Sequence, residues 1–214
     1  MKHAIRIILA AGVTALLAAC TNLSTENPIG ATAPDALDKR LVGAWKIVES
    51  GKEKNKDIGY MFVVPNKNGG LHAVILSVSG EKADSGEAEF DFVPGRAGDE
   101  HFINAFHVFD NGEPLKDEPD GYLPYLYRFD ANGRLVVYDH ADPGLKLLAD
   151  AIGNNRLEGT VIVKTTGKDG QGNPVSSTEV HITAQADALD AFFAENGKSI
   201  FTENMDTFER IKMP

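Results

Sequence analysis

Reactive side chains at workable spacing are scarce in this chain. Cys20 is the only cysteine among 214 residues, so a disulfide within the chain is impossible. His72, His101, His107, His140 and His181 fall in no H-x-H or H-E-x-x-H pattern, and no zinc site is written locally. His101 and His107 share a strand face but stand six residues apart, about 20 Å along a strand, too far to meet on one ion. His72 falls in a strand with two apolar faces, where a hydrogen-bonded core histidine is the commoner outcome. No G-x-S-x-G elbow and no phosphate-cradling glycine loop is present. The stretch "GKDGQGN" (167–173) lacks the ligand series of a calcium loop. Carboxylates are plentiful, and no acid–base pair stands out among them. The residues therefore predict no catalytic group, no metal and no cofactor. Catalytic groups that meet only in three dimensions would leave no such mark, so a hydrolase or isomerase stays open as a third reading.

What precedes Cys20 gives it a different chemistry. Lys2 and Arg6 open the chain with positive charge, Ile7 to Leu17 is an uncharged and mostly apolar run, and Ala18 and Ala19 are small. Positive, apolar, small is the layout of a secretory signal peptide. The run falls short of the about 20 apolar residues that a membrane-spanning helix needs. The stretch Leu17-Ala18-Ala19-Cys20 resembles the lipobox of bacterial lipoproteins. That resemblance implies a diacylglyceryl group on the Cys20 sulfur, removal of residues 1–19, and acylation of the new amine, with palmitate as the expected chain. One acyl chain holds a protein marginally, whereas two or more anchor it stably. The alternative is an ordinary secretory leader with a chance cysteine at its end. Thr21 stands where an inner-membrane-retaining Asp is often found in enteric bacteria, which favours the outer membrane, facing the periplasm.

Cleavage before Cys20 would leave 195 residues, and the loss of Lys2 and Arg6 would take the formal charge from −10 to −12. An acidic body of this size is a poor nucleic-acid binder. It is also repelled by anionic lipid, so the anchor does the membrane work. Residues 20–36 hold the lipidated cysteine and then a polar, small-residue stretch with two prolines, read as a flexible tether. Residues 37–214 form a single β-barrel-like domain. The acidic stretch "DNGEPLKDEPDG" (110–121) reads as a solvated loop.

The body reads mainly as strands. In "EAEFDFV" (87–93), Glu87, Glu89 and Asp91 alternate with Ala88, Phe90 and Phe92, the mark of a half-buried strand. Similar patterns cover 43–50, 57–65, 71–79, 100–109, 122–129, 134–140, 157–165, 177–183 and 205–212. Asn132-Gly133 predicts a two-residue hairpin turn between two of them. Two segments read as short amphipathic helices: 142–154, with Asp142 as N-cap, Pro143 next and Gly153 as stop, and 183–197, with Thr183 as N-cap and Gly197 as C-cap. "LHAVILSVS" (71–79) is apolar on both faces and needs cover on both. One face fits a barrel interior, and the other predicts a helix lying against the outside.

In "LVGAWKI" (41–47), a short turn followed by Gly-x-Trp at the start of the first strand resembles the lipocalin and lipocalin-like families. The resemblance implies an antiparallel meander closing into a lipocalin-like barrel or half-barrel of about 8–10 strands, with the two helices added. Gly43 and Trp45 match its signature at the closed end, and Arg210 in "TFERIK", or else Lys212, supplies the cation that packs over the indole. The sequence departs from those families in lacking a Thr-Asp-Tyr signature, with "VYDH" (137–140) in the region, and in placing a helix at 142–154 among its strands.

Aromatic residues gather in the middle strands. By alternation, Phe90, Phe92, Phe102, Phe106, Tyr125, Tyr127 and Phe129 would line the interior of a closed sheet. Such an interior holds one small apolar molecule or is plugged by its own side chains. The first choice predicts a lipid-anchored binding protein for a small apolar ligand. The second predicts a non-enzymatic interaction module (assembly factor, inhibitor or sensor) docking on an envelope protein.

Overall fold

The structure is a computed structural model that describes residues 23–31, 38–50, 58–67, 69–78, 85–115, 121–168 and 174–212. Among the described residues, twelve strands and two α-helices follow in chain order: β1 (Leu23–Thr25), β2 (Gly43–Ser50), β3 (Ile58–Pro65), β4 (Leu71–Val78), β5 (Ser85–Ala97), β6 (Glu100–Asp110), β7 (Glu113–Pro114), β8 (Leu123–Phe129), β9 (Leu135–Asp139), α1 (Asp142–Gly153), β10 (Gly159–Lys168), β11 (Pro174–Ile182), α2 (Ala186–Ile200) and β12 (Glu203–Arg210). A 3-10 turn at Lys39–Leu41 leads into β2.

Eight of these strands close on themselves. Each is antiparallel to its neighbours in the ring β2-β3-β4-β5-β6-β8-β9-β12, and β12 returns to β2. Closure removes the sheet edges that would otherwise invite pairing with other chains. Period-two alternation then decides what fills the barrel. Trp45, Met61, Val63, Leu71, Ala73, Phe90, Phe92, Ile103, Tyr125, Tyr127, Leu135 and Phe208 all turn inward and are buried in one cluster.

The segment α1-β10-β11-α2 is an insertion between β9 and β12, two strands that pair with each other. Its ends meet where the Ala141 amide donates to the Ile200 carbonyl at 3.3 Å. Here α1 packs on α2 and on β10–β11, and α2 packs on β5 and β6. The insertion buries a second apolar cluster against the outside of the barrel, where Phe102 of β6 and Leu126 of β8 face Leu148, Phe193, Ile200 and Phe201.

Residues 23–31 belong to this second core, which corrects the expectation of a flexible tether there. β1 pairs in parallel with β11, from Leu23 opposite Val180 to Thr25 opposite Ile182. Leu23 and Ile29 are buried. The Asn104 side chain accepts from the Ile29 amide at 2.8 Å and donates to the Ile29 carbonyl at 3.0 Å, so a fully buried amide holds the segment as a strand edge would. Gly95 lies so close beneath it that a Cβ there would fall 1.8 Å from the Ile29 carbonyl oxygen. The tether composition misled because the apolar residues are few but each meets a prepared site. The folded body thus includes residues 23–31 as well as those from 38 onward. The leader, Cys20 and residues 32–37 lie outside the described residues.

Four local expectations are also corrected. The helix starts are capped at Ala141 and Gln185 rather than at Asp142 and Thr183. Gly197 does not end α2, which runs on to Ile200, and it is buried where the Phe102 ring would press on a Cβ at 3.0 Å. The β8–β9 loop spans residues 130–134 rather than two residues. There Asp130 Oδ1 accepts from the Asn132 and Arg134 amides, and only Gly133 adopts positive φ. Among the described residues, no helix packs on β4. Its Val74 and Leu76 lie beside Phe62 and Tyr60 of β3, while the helices take the more apolar wall of β6 and β8.

One ion-pair cluster ties barrel to insertion. Glu100 of β6 is nearly buried and contacts Arg128 of β8 at 2.7 Å and Lys198 of α2 at 2.8 Å. Burial opposes its charge, but the bonds from Lys198 and Arg128 outweigh it and hold its pKa below the ordinary value of 4.5. A depressed carboxylate pKa adds stability that is present above the unfolded value and lost as pH falls through the folded one. Glu100→Gln is expected to cost about 1.5 kcal/mol at pH 7, the low end for charged hydrogen bonds because both partners are exposed. In urea unfolding at a series of pH values, the gap to the wild type should narrow as pH falls below the ordinary value of 4.5 and close once Glu100 is protonated in the folded state; a gap that persists in acid would assign the loss to packing.

Candidate functional site

The two ends of the barrel differ. At one end the chain enters through the 3-10 turn, and the turn residues are pinned from above and below. The Trp45 ring is fully buried, and its Nε1 donates to the Leu41 carbonyl at 2.9 Å. The Arg210 guanidinium lies over the indole, 4.5 Å from its centroid. Arg210 also donates to the Val42 carbonyl at 2.9 Å and to the Arg40 carbonyl. Gly43 makes this possible: its φ is +147°, and a Cβ would sit 2.7 Å from an Arg210 nitrogen. Gly43, Trp45 and Arg210 are thus brought together as the signature requires, and Lys212 is not the cation over the ring.

A second layer surrounds them. Asp38 forms an ion pair with Arg40 at 2.8 Å and accepts from the Tyr127 hydroxyl at 3.2 Å. Burial works against the Asp38 charge, yet the hydrogen bonds from Arg40 hold its pKa below the usual carboxylate range. Burial and the Asp38 carboxylate push the Tyr127 phenol far above its ordinary value, so it stays a donor. Arg40 lies over the Phe129 ring at 4.5 Å, and His101 packs on Tyr127. Burial lowers the His101 pKa, keeping the imidazole neutral at pH 7. Every one of these groups is occupied in closing the barrel.

The other end contains an apolar chamber of about 60 Å³. Ile47, Met61, Ile75, Phe90, Phe92, Ile103, Ala105, Tyr125, Val137, Met205, Asp206 and Phe208 line it. Asp206 is buried. A bulge between Asn204 and Asp206, opposite Tyr138 and Val137, brings Met205 and Asp206 to the chamber together. Burial and the nearby carboxylates of Asp139 and Asp206 raise the Tyr125 pKa far above its ordinary value, so its phenol remains protonated. The chamber therefore offers an almost wholly apolar lining.

The structure divides the seven aromatic candidates. Phe90, Phe92 and Tyr125 line the chamber. Tyr127 and Phe129 face the same interior but fill its closed end against Trp45. Phe102 faces outward into the second core, and Phe106 packs on Tyr122. The inward residues of β6 are Ile103 and Ala105, so alternation was right in period and one residue off in phase. Asp206 was the residue missed. Its signal was present, since Arg210 over Trp45 places positions 208 and 206 on the same inward face. His72 is not a core residue; it lies outside the barrel, half-buried between Glu89 at 3.2 Å and Asp91 at 3.1 Å.

Fold and closed end together define a class, an eight-stranded antiparallel barrel of the lipocalin-like type with an α-β-β-α insertion. No family model, no curated protein and no solved structure matches the chain.

Trp45→Ala removes a fully buried indole and the surface on which Arg210 rests. It is expected to cost about 3–5 kcal/mol, as for other buried aromatics. Chemical denaturation measures it, and an unchanged midpoint would remove Trp45 from its role as the barrel's floor.

Proposed function

We propose that this protein is a lipid-anchored component of a bacterial cell envelope whose barrel binds a small apolar or amphipathic molecule, apolar end first. The chamber with Asp206 in its wall carries the ligand half of this reading. The lipobox resemblance at Cys20 carries the anchor, with the outer membrane as the expected site. The almost wholly apolar lining suits an apolar group and offers little to a polar one. Size narrows the class further. A cavity of roughly 150 Å³ holds benzene, so about 60 Å³ takes only a slender end, such as the tip of an alkyl chain. Met61 and Met205 are unbranched and re-pack at low cost to admit it.

A second reading rests on the barrel's outer surface. Val48, Phe62 and Val64 are exposed on β2 and β3, and Val74 and Leu76 continue the strip on β4, with Glu87, Glu89 and Asp91 beyond them on β5. An exposed apolar strip with a charged border is the signature of protein docking, which supports an envelope interaction module.

Native mass spectrometry of protein extracted gently from the cells that make it, with organic extraction alongside, is expected to reveal a stoichiometric small molecule. Ala105→Phe, which fills the chamber, should abolish it while leaving Trp45 fluorescence unchanged. An empty wild-type chamber would transfer the assignment to the docking strip. For the anchor, Cys20→Ser is expected to move the protein from the membrane fraction to the soluble fraction. Continued membrane association of an uncleaved chain would overturn lipidation.

A further inference from the structure

We infer that the hairpin β10–β11 is the protein's bilayer contact, with Ile162 and Val163 meeting the lipid. This rests on the reading of Cys20 as the lipidated residue, and three observations then converge on the hairpin.

The first is reach. Only Thr21 and Asn22 separate Cys20 from Leu23, which is buried and paired with Val180. Three residues span at most about 11 Å when fully extended. The acyl chains and the folded body are therefore nearly in contact, and the anchor selects which surface faces the membrane. β1 joins the edge of β11 at Val180, and β10 runs on the other side of β11. Two inter-strand spacings, about 10 Å, separate β1 from β10.

The second is apolar exposure. At the level of Val180 the hairpin rests on the second core. Beyond it, from Ile162 opposite Glu179 to Lys168 opposite Pro174, it projects as a two-stranded arm about 20 Å long. Ile162 is 46% exposed and Val163 66% exposed. Adjacent strand residues point to opposite faces, so the arm presents an apolar side chain on each side. A surface-lying ribbon would show one apolar face, whereas an arm surrounded by lipid headgroups shows two.

The third is charge. Residues 159–182 contain Lys164, Lys168, Asp169 and Glu179 and are formally neutral, so the whole −12 of the cleaved chain lies elsewhere. Near an anionic leaflet, repulsion acts within about one Debye length, roughly 8–10 Å. A neutral arm can lie there where the acidic remainder cannot. The anchored body thus stands with the arm in the interface.

A single reactive thiol tests this in the full processed protein, because acylation consumes Cys20. Val163→Cys and, as control, Val64→Cys on the exposed barrel strip each carry an environment-sensitive fluorophore. The labelled proteins are reconstituted in phosphatidylethanolamine/phosphatidylglycerol vesicles containing a headgroup-level nitroxide lipid. The label at 163 should shift to the blue and be quenched several-fold more than the label at 64. Intact mass and vesicle flotation are measured on the same samples. An acylated, floating protein with equal quenching at both sites overturns the arm assignment alone, and stronger quenching at 64 overturns it in favour of the barrel strip. A mass without acyl chains overturns the anchor and the arm assignment with it. Both positions are solvent-exposed, and far-ultraviolet circular dichroism superimposable on the wild type is the criterion for a folded variant.

Discussion

The middle of the wall formed by β6 and β8, residues 102–105 and 124–127, is buried on both faces, and both cores depend on it. Ile103, Ala105, Tyr125 and Tyr127 point into the barrel, while Phe102, Asn104 and Leu126 point into the layer between barrel and insertion. A strand in that position meets no water on either face, so its backbone groups must be satisfied laterally. The ladders to β5 and β9 do this, and they also close the ring. Asn104 extends the same logic outward, offering its amide to the backbone of residue 29 where no ninth strand exists. Glu100 then fastens α2 to the end of the wall, with one carboxylate shared between Arg128 and Lys198.

From that wall follows the contrast between the barrel's ends. The closed end is filled by large rings and held by cations over their faces: Arg210 on Trp45 and Arg40 on Phe129. Each guanidinium also holds a local polar partner, so the plug is a hydrogen-bonded layer as well as an apolar one. The chamber end is lined by Ile, Met and Ala, which leave space, with a bulge in β12 beside it. One sheet thus combines a rigid floor with an adaptable apolar volume. The same β12 strand contributes to both, with Arg210 at one end and Asp206 at the other.

The insertion between β9 and β12 gives the molecule a second identity beside the barrel. It binds residues 23–25 through β11, and through β1 it sets how close the body lies to Cys20. In the proposed arrangement the barrel binds and the insertion orients, with the projecting hairpin and the acyl chains on the same side of the second core. The apolar strip on β2–β4 lies on barrel strands that the insertion does not cover.

Local pattern in the sequence was enough to find ten of the twelve described strands, the two helices and the closed-end signature, but not β1 or β7. Period-two and helical spacing are properties of neighbouring residues, and Gly43-x-Trp45 encodes a contact whose partner, Arg210, lies on β12, the strand that closes the ring against β2. Which face of a strand is the inside was decided only by the tertiary structure. "EHFINAFHVF" is apolar at both phases, so alternation could not say whether Phe102 or Ile103 entered the barrel, and the outer layer was needed to receive Phe102. Residues 23–31 illustrate the same limit. Their composition is that of a linker, and they are ordered because Asn104, Val180 and Gly95, distant in sequence, form the groove they occupy. The chamber, too, depends on the packing of eight strands, because its volume is the small difference between the space the closed sheet encloses and the side chains that fill it.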